Sequence, residues 1–214
     1  MSLLAWISPL SLSIGLLGAV KNRQFLTSLE KTIAFFLLIF VLIDFCSRYI
    51  VEWFGLTSNL TILSIYVLIE YLFISILYTR FFPTRKSKFL LYSAILGGLV
   101  ILIFSLSKVA PIITLQFQMY EGLFANLFSL LFGLFFIYKI MIDEVESTKQ
   151  QRSLNNIIIM YAGIQFFMAL TINFMVNMEV ELVFFFWLIR LIALTIFYLK
   201  LSQIIWQTGK KVAR

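Results

Sequence analysis

The chain has 214 residues, of which 62% are hydrophobic and only 13% charged, so the bilayer must be its main solvent, because soluble domains are closer to half apolar and a quarter charged. Its formal charge of +7 comes from Lys and Arg residues between apolar stretches, which favours anionic lipid and argues against nucleic acid as their partner. Histidine is absent and Cys46 is the single cysteine, so we expect no intrachain disulfide, no metal, no cofactor and no catalytic residues.

Apolar windows of about 20 residues predict an all-α membrane protein with seven transmembrane helices. We expect one domain, a helix bundle that covers residues 1–214. In chain order the predicted spans are residues 3–20, 32–51, 60–79, 89–107, 118–139, 154–176 and 182–205.

Small residues indicate where some of these helices pack closely. The first span is short and rich in Ser and Gly, which favours close contact between helices. On the fourth span, small residues recur at a spacing of four, as helix-contact surfaces do. These helix-contact candidates are the pairs Ser93 with Gly97 and Ala94 with Gly98. The surface suits either packing within the chain or a homo-oligomer.

The basic residues predict the orientation of the chain in the membrane. Of the 17 Lys and Arg residues, 14 lie near the C-terminal ends of the first, third, fifth and seventh spans or after them. The positive-inside rule makes that side cytoplasmic, with the N-terminus outside and the C-terminus inside. We therefore expect a multi-pass protein of the inner (plasma) membrane.

Strongly polar residues inside the predicted spans are the candidates for a binding site or polar network. A charged side chain near the bilayer centre costs about 2.5–3.5 kcal/mol, so it survives when it is paired, faces water or has a function. At a rise of 1.5 Å per residue, these residues lie near the midplane or in the outer half of the bilayer. They are Asp44, Arg48, Tyr66, Glu70, Glu121, Asn126, Gln165, Asn173 and Arg190.

Spacing predicts two pairs among these residues. Asp44 and Arg48 are four apart and can pair on one helix face, and Tyr66 and Glu70 share a face in the same way. The predicted spans contain three of these carboxylates and only two guanidinium groups, so one carboxylate has no basic partner. The carboxylates are Asp44, Glu70 and Glu121, and the guanidinium groups are Arg48 and Arg190. Glu70 lies deepest and is therefore the candidate to be neutral.

The span count, the orientation and a third span with Tyr66, Glu70 and Tyr71 resemble the seven-span input modules of bacterial sensor kinases. They also resemble free-standing bacterial seven-span proteins of unassigned role. The resemblance implies a receptor-like, signalling function. No kinase or cyclase domain follows the seventh span in this sequence, so we expect the signal to pass to a separate protein.

We therefore expect a non-enzymatic, sensor-like binding module that acts through a membrane or cytoplasmic protein partner, or as a homo-oligomer. Its small ligand would enter from the outer side. Two alternatives use the same residues or topology: a small-solute or proton-coupled transporter, and an accessory subunit of a larger membrane complex. An enzyme that acts on lipid through Asp44 and Glu70 is a further alternative. The buried charges could also serve only to fix helix register.

Overall fold

A computed structural model of the chain describes residues 6–53, 60–82, 87–107, 120–142, 146–175 and 180–212. The side chains of residues 48–53, 60–61, 107, 175, 180–183 and 208–212 lie outside this description. The described part is all-α, which confirms that part of the predicted fold class.

Seven α-helices are described, and each predicted span falls on one of them. They are α1 (Ile7–Lys21), α2 (Ser28–Trp53), α3 (Leu60–Ile76), α4 (Lys88–Ser107), α5 (Tyr120–Ile142), α6 (Lys149–Met175) and α7 (Val180–Val212). The largest differences from the predicted bounds are that α6 starts earlier and α7 ends later. Hydropathy detects only the apolar part of a helix, whereas these two helices continue through polar residues.

Within the described ranges, five helical segments are long and apolar enough to cross a membrane, which indicates a membrane protein. They are Ile62–Phe81, Lys88–Leu106, Tyr120–Ile142, Lys149–Phe174 and Phe184–Gln207. The helix α1 is apolar but has only 15 residues.

Two helices begin at capping boxes, in which side chains satisfy the first free N–H groups of the helix. Before α2, Glu30 Oε2 accepts a hydrogen bond from the Thr27 N–H at 2.8 Å, and Thr27 Oγ1 accepts one from the Glu30 N–H at 3.4 Å. Before α6, Gln151 Oε1 accepts from the Thr148 N–H at 2.9 Å, and Thr148 Oγ1 accepts from the Gln151 N–H at 3.2 Å. The second box explains why α6 begins at Lys149, ahead of its apolar segment.

The helix α3 continues into a π-helical turn, Leu77–Phe81. The N–H of Phe82 donates to the carbonyl of Leu77 at 3.2 Å, which is the i→i−5 bond of that geometry. From the start of α6, the Gln151 side-chain amide donates to the carbonyl of Phe81 at 2.8 Å. The capping residue of α6 thus also holds the end of the π-helical turn.

The chain divides into two compact units. Unit 1 comprises Met1–Ile62 and Leu194–Arg214, and unit 2 comprises Leu63–Ala193. In unit 1, α1 packs against α2. In unit 2, α5 packs against both α4 and α6.

Within unit 1, small residues of α1 allow its backbone to lie close to α7. The composition of the first span predicts such a close helix contact. A Cβ atom at Gly15 would lie 2.5 Å from Ser202 Oγ, and one at Gly18 would lie 2.6 Å from the indole nitrogen of Trp206. The Trp206 indole N–H donates to the carbonyl of Ile14 at 3.0 Å. Only glycine at these two positions allows the close approach.

In unit 2, the small residues of α4 contact other helices of the same chain. The Tyr71 hydroxyl on α3 donates to the carbonyls of Ser93 at 3.3 Å and Ala94 at 3.0 Å. A Cβ at Gly97 would overlap that hydroxyl and lie 2.9 Å from the ring of Phe128. The predicted contact surface of α4 is thus used within the chain.

Replacing Gly97 should destabilise the protein, whereas the same change one residue later should not. We expect Gly97→Ala to cost about 1–3 kcal/mol, because the new methyl group meets Tyr71 and Phe128. At Gly98 the nearest atom to a new Cβ is 3.8 Å away, so Gly98→Ala should be neutral or slightly stabilising. Thermal unfolding of both variants in the same detergent measures the difference. Equal losses of stability would contradict this packing.

Candidate functional site

Four polar side chains from three helices meet in unit 2: Glu70 on α3, Tyr161 and Gln165 on α6, and Arg190 on α7. We call them the Glu70 cluster. The Tyr161 hydroxyl donates a hydrogen bond to the Glu70 carboxyl group, and the Arg190 guanidinium lies within electrostatic range of both groups. The Gln165 side-chain nitrogen donates to the backbone carbonyl of Arg190 at 3.1 Å. Three of the predicted polar residues are therefore brought together.

Helix periodicity explains how α6 supplies two members of the cluster. Tyr161 and Gln165 are four residues apart and therefore lie on one helix face. Both are buried, with 4% and 2% of their surface exposed. Glu70 and Arg190 are half-buried. The cluster therefore has two buried polar side chains on α6 and two half-buried ionisable side chains, one on α3 and one on α7.

Two buried oxygen atoms of the cluster have unused hydrogen-bonding capacity, and we call them open acceptors. Among the described residues, neither Glu70 Oε1 nor Gln165 Oε1 has a hydrogen-bond partner. A buried acceptor without a donor costs about 1–3 kcal/mol. The arrangement can therefore accept hydrogen bonds from a further group that carries N–H or O–H donors.

The remaining predicted residues of unit 2 lie on α3, α5 and α6. Glu121 is buried and accepts a hydrogen bond from the Ser64 hydroxyl at 3.2 Å. Asn126 is buried and donates to the carbonyl of Gly122 in its own helix at 2.7 Å. Tyr66 and Asn173 are half-buried. Glu121 is thus tied to α3, while Asn126 satisfies its own helix.

The predicted pair on α2 belongs to unit 1. Asp44 is half-buried and lies within electrostatic range of the Tyr198 hydroxyl on α7. The side chain of Arg48 lies outside the described residues, so its pairing with Asp44 stays a prediction. The described polar candidates are therefore divided between the units, with Asp44 in unit 1 and the others in unit 2.

The described residues include no group of three or more His, Cys, Asp and Glu side chains that could hold a metal ion. Cys46 is a free, exposed thiol.

One member of the Glu70 cluster, Tyr161, is missing from the sequence predictions. Its signal was present, because Tyr161 lies one helical turn before Gln165 on the same face. A buried tyrosine in an apolar span is usually read as packing, and only the position of α3 shows that its hydroxyl meets Glu70.

A second polar contact of unit 2 is also absent from the sequence predictions. The Tyr78 hydroxyl in the π-helical turn donates to Asn155 Oδ1 on α6 at 2.6 Å. Aromatic rings lie around the Tyr78 side of this pair. The Phe82 ring stacks on the Tyr78 ring with 4.6 Å between their centroids, and the Phe132 and Phe136 ring centroids lie within 6.5 Å of the Tyr78 centroid. We call these five residues the Tyr78 cluster. Both polar residues lie near ends of predicted spans, where polarity is ordinary and gives no signal.

Breaking the hydrogen bond of the Tyr78 cluster should destabilise the protein. We expect Tyr78→Phe to cost about 1–3 kcal/mol, because it leaves the buried Asn155 oxygen without a donor. The double variant Tyr78→Phe with Asn155→Leu should lose less than the sum of the single changes, by about 1 kcal/mol. Equilibrium unfolding of the four proteins in mixed micelles measures this coupling. Strictly additive losses would contradict the contact.

No protein family, curated protein or solved structure matches the chain. The resemblance to seven-span sensor modules therefore stays a prediction based on span count, orientation and the third span. The function of the protein has to be argued from the geometry of its own polar residues.

Proposed function

We propose that the protein is a non-enzymatic binding module of the inner membrane, in which the Glu70 cluster binds a small polar ligand. In this proposal, ligand binding changes how α3, α6 and α7 pack, and a separate protein reads the change. The observation that carries it is the meeting of Glu70, Tyr161, Gln165 and Arg190 inside apolar helices, with two buried acceptors open among the described residues.

The open acceptors favour binding over a purely structural role. A polar network that only fixes helix register is most stabilising when all its members are satisfied. In the Glu70 cluster, Tyr161 and the Gln165 nitrogen have partners, whereas Glu70 Oε1 and Gln165 Oε1 have none among the described residues. A ligand that donates to these oxygens would remove their desolvation cost.

The electrostatic interaction between Glu70 and Arg190 supports a two-state response. The two groups lie on different helices and interact by charge. A ligand that engages either group changes this interaction and with it the preferred packing of α3 against α7. This is the property that a sensor needs.

Substitutions in the Glu70 cluster test the proposed function, provided that the variants still fold. We expect Glu70→Gln and Arg190→Leu to change, by several-fold, the amount of a partner protein recovered with the tagged chain from native membranes. The control is Ser129→Ala, which removes a buried hydroxyl that bonds only to the Ala125 carbonyl among the contacts described. Quantitative mass spectrometry of the purified complexes gives the measurement. Unchanged recovery in both cluster variants would refute the sensor proposal.

The same cluster supports transport as a second candidate function, because a half-buried carboxylate beside a guanidinium can hold a solute or proton within the membrane. A pure sensor moves nothing across the bilayer. Uptake by vesicles that contain the purified chain therefore separates the two proposals.

We further propose that the chain crosses the membrane seven times, with its N-terminus outside and its C-terminus in the cytoplasm. The support is the distribution of 14 of the 17 basic residues over alternate connections and the C-terminal end.

Thiol labelling tests this orientation. In a Cys46→Ser background, Ser58→Cys should react with an impermeant maleimide in intact cells. Lys149→Cys, at the exposed start of α6, should react only after the membrane is opened. Labelling of Lys149→Cys in intact cells would exclude the proposed orientation.

A further inference from the structure

We infer that unit 1 has a binding site for the headgroup of an anionic phospholipid at the C-terminal end of α1, formed by Lys21 and Arg23. The Glu70 cluster belongs to unit 2, so this site is separate from the proposed function. The phosphate group of the lipid accepts hydrogen bonds from the two basic side chains, while its acyl chains stay in the bilayer.

Contacts with α7 place the end of α1 at the boundary of the membrane. The Asn22 side-chain nitrogen donates to the carbonyl of Ile205 at 3.5 Å. The ammonium group of Lys21 lies over the Trp206 ring, 5.6 Å from its centroid. Ile205 and Trp206 are among the last three residues of the apolar segment Phe184–Gln207. Tryptophan is enriched at the level of the lipid headgroups, and the end of α1 lies at this same level.

Lys21 is held at this boundary with its charge accessible. The Trp206 ring is itself fixed on α1, because its indole N–H donates to the carbonyl of Ile14 at 3.0 Å. The distance between the Lys21 ammonium and this ring is that of a cation–π contact. Lys21 is nevertheless exposed, and its ammonium group has three N–H donors. The fold thus restricts where Lys21 lies without using up its donors.

Arg23 supplies a second basic group within reach of the same phosphate. It follows Lys21 by two residues and is exposed, so the two Cα atoms are at most about 7 Å apart. The connection is ordered by a turn, in which the Phe25 N–H donates to the carbonyl of Asn22 at 2.9 Å. Arginine binds phosphate oxygens through two parallel hydrogen bonds, and lysine binds them as a point charge. Two such side chains can therefore converge on one phosphate.

The surroundings of the site are basic and apolar, which suits an anionic lipid. Residues 7–32 contain a single acidic residue, Glu30, which is only 2% exposed and caps α2. The exposed charge around Lys21 and Arg23 is therefore positive. Phe25, in the same connection, is 48% exposed. An anionic phospholipid matches both features, because its headgroup is negative and its acyl chains cover apolar surface.

Competition between two lipids tests the site. Phosphatidylglycerol and phosphatidylcholine both contain a phosphodiester, but only phosphatidylglycerol has a net negative charge. The full chain is purified in detergent and mixed with equal amounts of the two lipids. Native mass spectrometry then measures the ratio of the two lipids that remain bound. A second arm adds inorganic phosphate in excess, which distinguishes a lipid site from a site for free phosphate.

We expect the protein to retain phosphatidylglycerol at least tenfold over phosphatidylcholine. Lys21→Gln and Arg23→Gln should each reduce this preference about fivefold, since a basic residue near the membrane surface contributes about 1 kcal/mol to the attraction of anionic lipid. Lys21→Arg keeps the charge and should keep the preference. Lys149→Gln is the matched control, because it removes the same charge from the exposed start of α6 in unit 2. It should leave the preference unchanged, as should excess phosphate.

Equal retention of the two lipids by the unchanged protein would overturn the inference. A preference that survives both Lys21→Gln and Arg23→Gln, or that is lost in Lys21→Arg, would overturn it as well. If Lys149→Gln reduced the preference as much as Lys21→Gln, the overall charge of the chain would attract the lipid, and there would be no site. Displacement by phosphate would exclude a lipid as the occupant. Thermal unfolding verifies that each variant is folded, and partner recovery judges the proposed function separately.

Discussion

A polar side chain within a bilayer has no bulk water to bond, so it must find partners inside the protein or bind something there. This constraint organises unit 2. Tyr161 bonds Glu70, Gln165 bonds the backbone of α7, and Ser64 bonds Glu121. Each of these contacts joins two helices, so the hydrogen bonds that satisfy the polar groups also hold the helices together. The oxygens that the described contacts leave open are therefore the most informative atoms of the structure.

Close packing is the second requirement, and it depends on where side chains are missing. There is little hydrophobic force between helices in lipid, so contact relies on shape and on short approaches between backbones. Because Gly97 has no side chain, the Tyr71 hydroxyl reaches the backbone of α4. In the same way, Gly15 and Gly18 leave room for Ser202 and Trp206 against the backbone of α1. Each unit thus has its own glycine-dependent helix contact.

The two polar clusters of unit 2 differ in character. The Tyr78 cluster is enclosed by aromatic rings and linked to the cap of α6 through the π-helical turn and Gln151, as expected of a rigid structural element. The Glu70 cluster combines two half-buried ionisable groups with two acceptors that have no hydrogen-bond partner among the described residues. The Tyr78 cluster joins the π-helical turn to α6 and thereby contributes to stability, whereas the binding function that we propose belongs to the Glu70 cluster.

The sequence by itself determined the all-α class, the approximate extent of every helix and the set of polar residues inside them, because hydropathy and helical spacing are local properties. It also placed Tyr66 with Glu70 on one face of α3. It could not show that Glu70, Gln165 and Arg190 meet while Asp44 belongs to the other unit, or that Tyr161 completes the cluster. Those facts depend on which helix faces pack together, and residues far apart in the chain decide that only through tertiary structure.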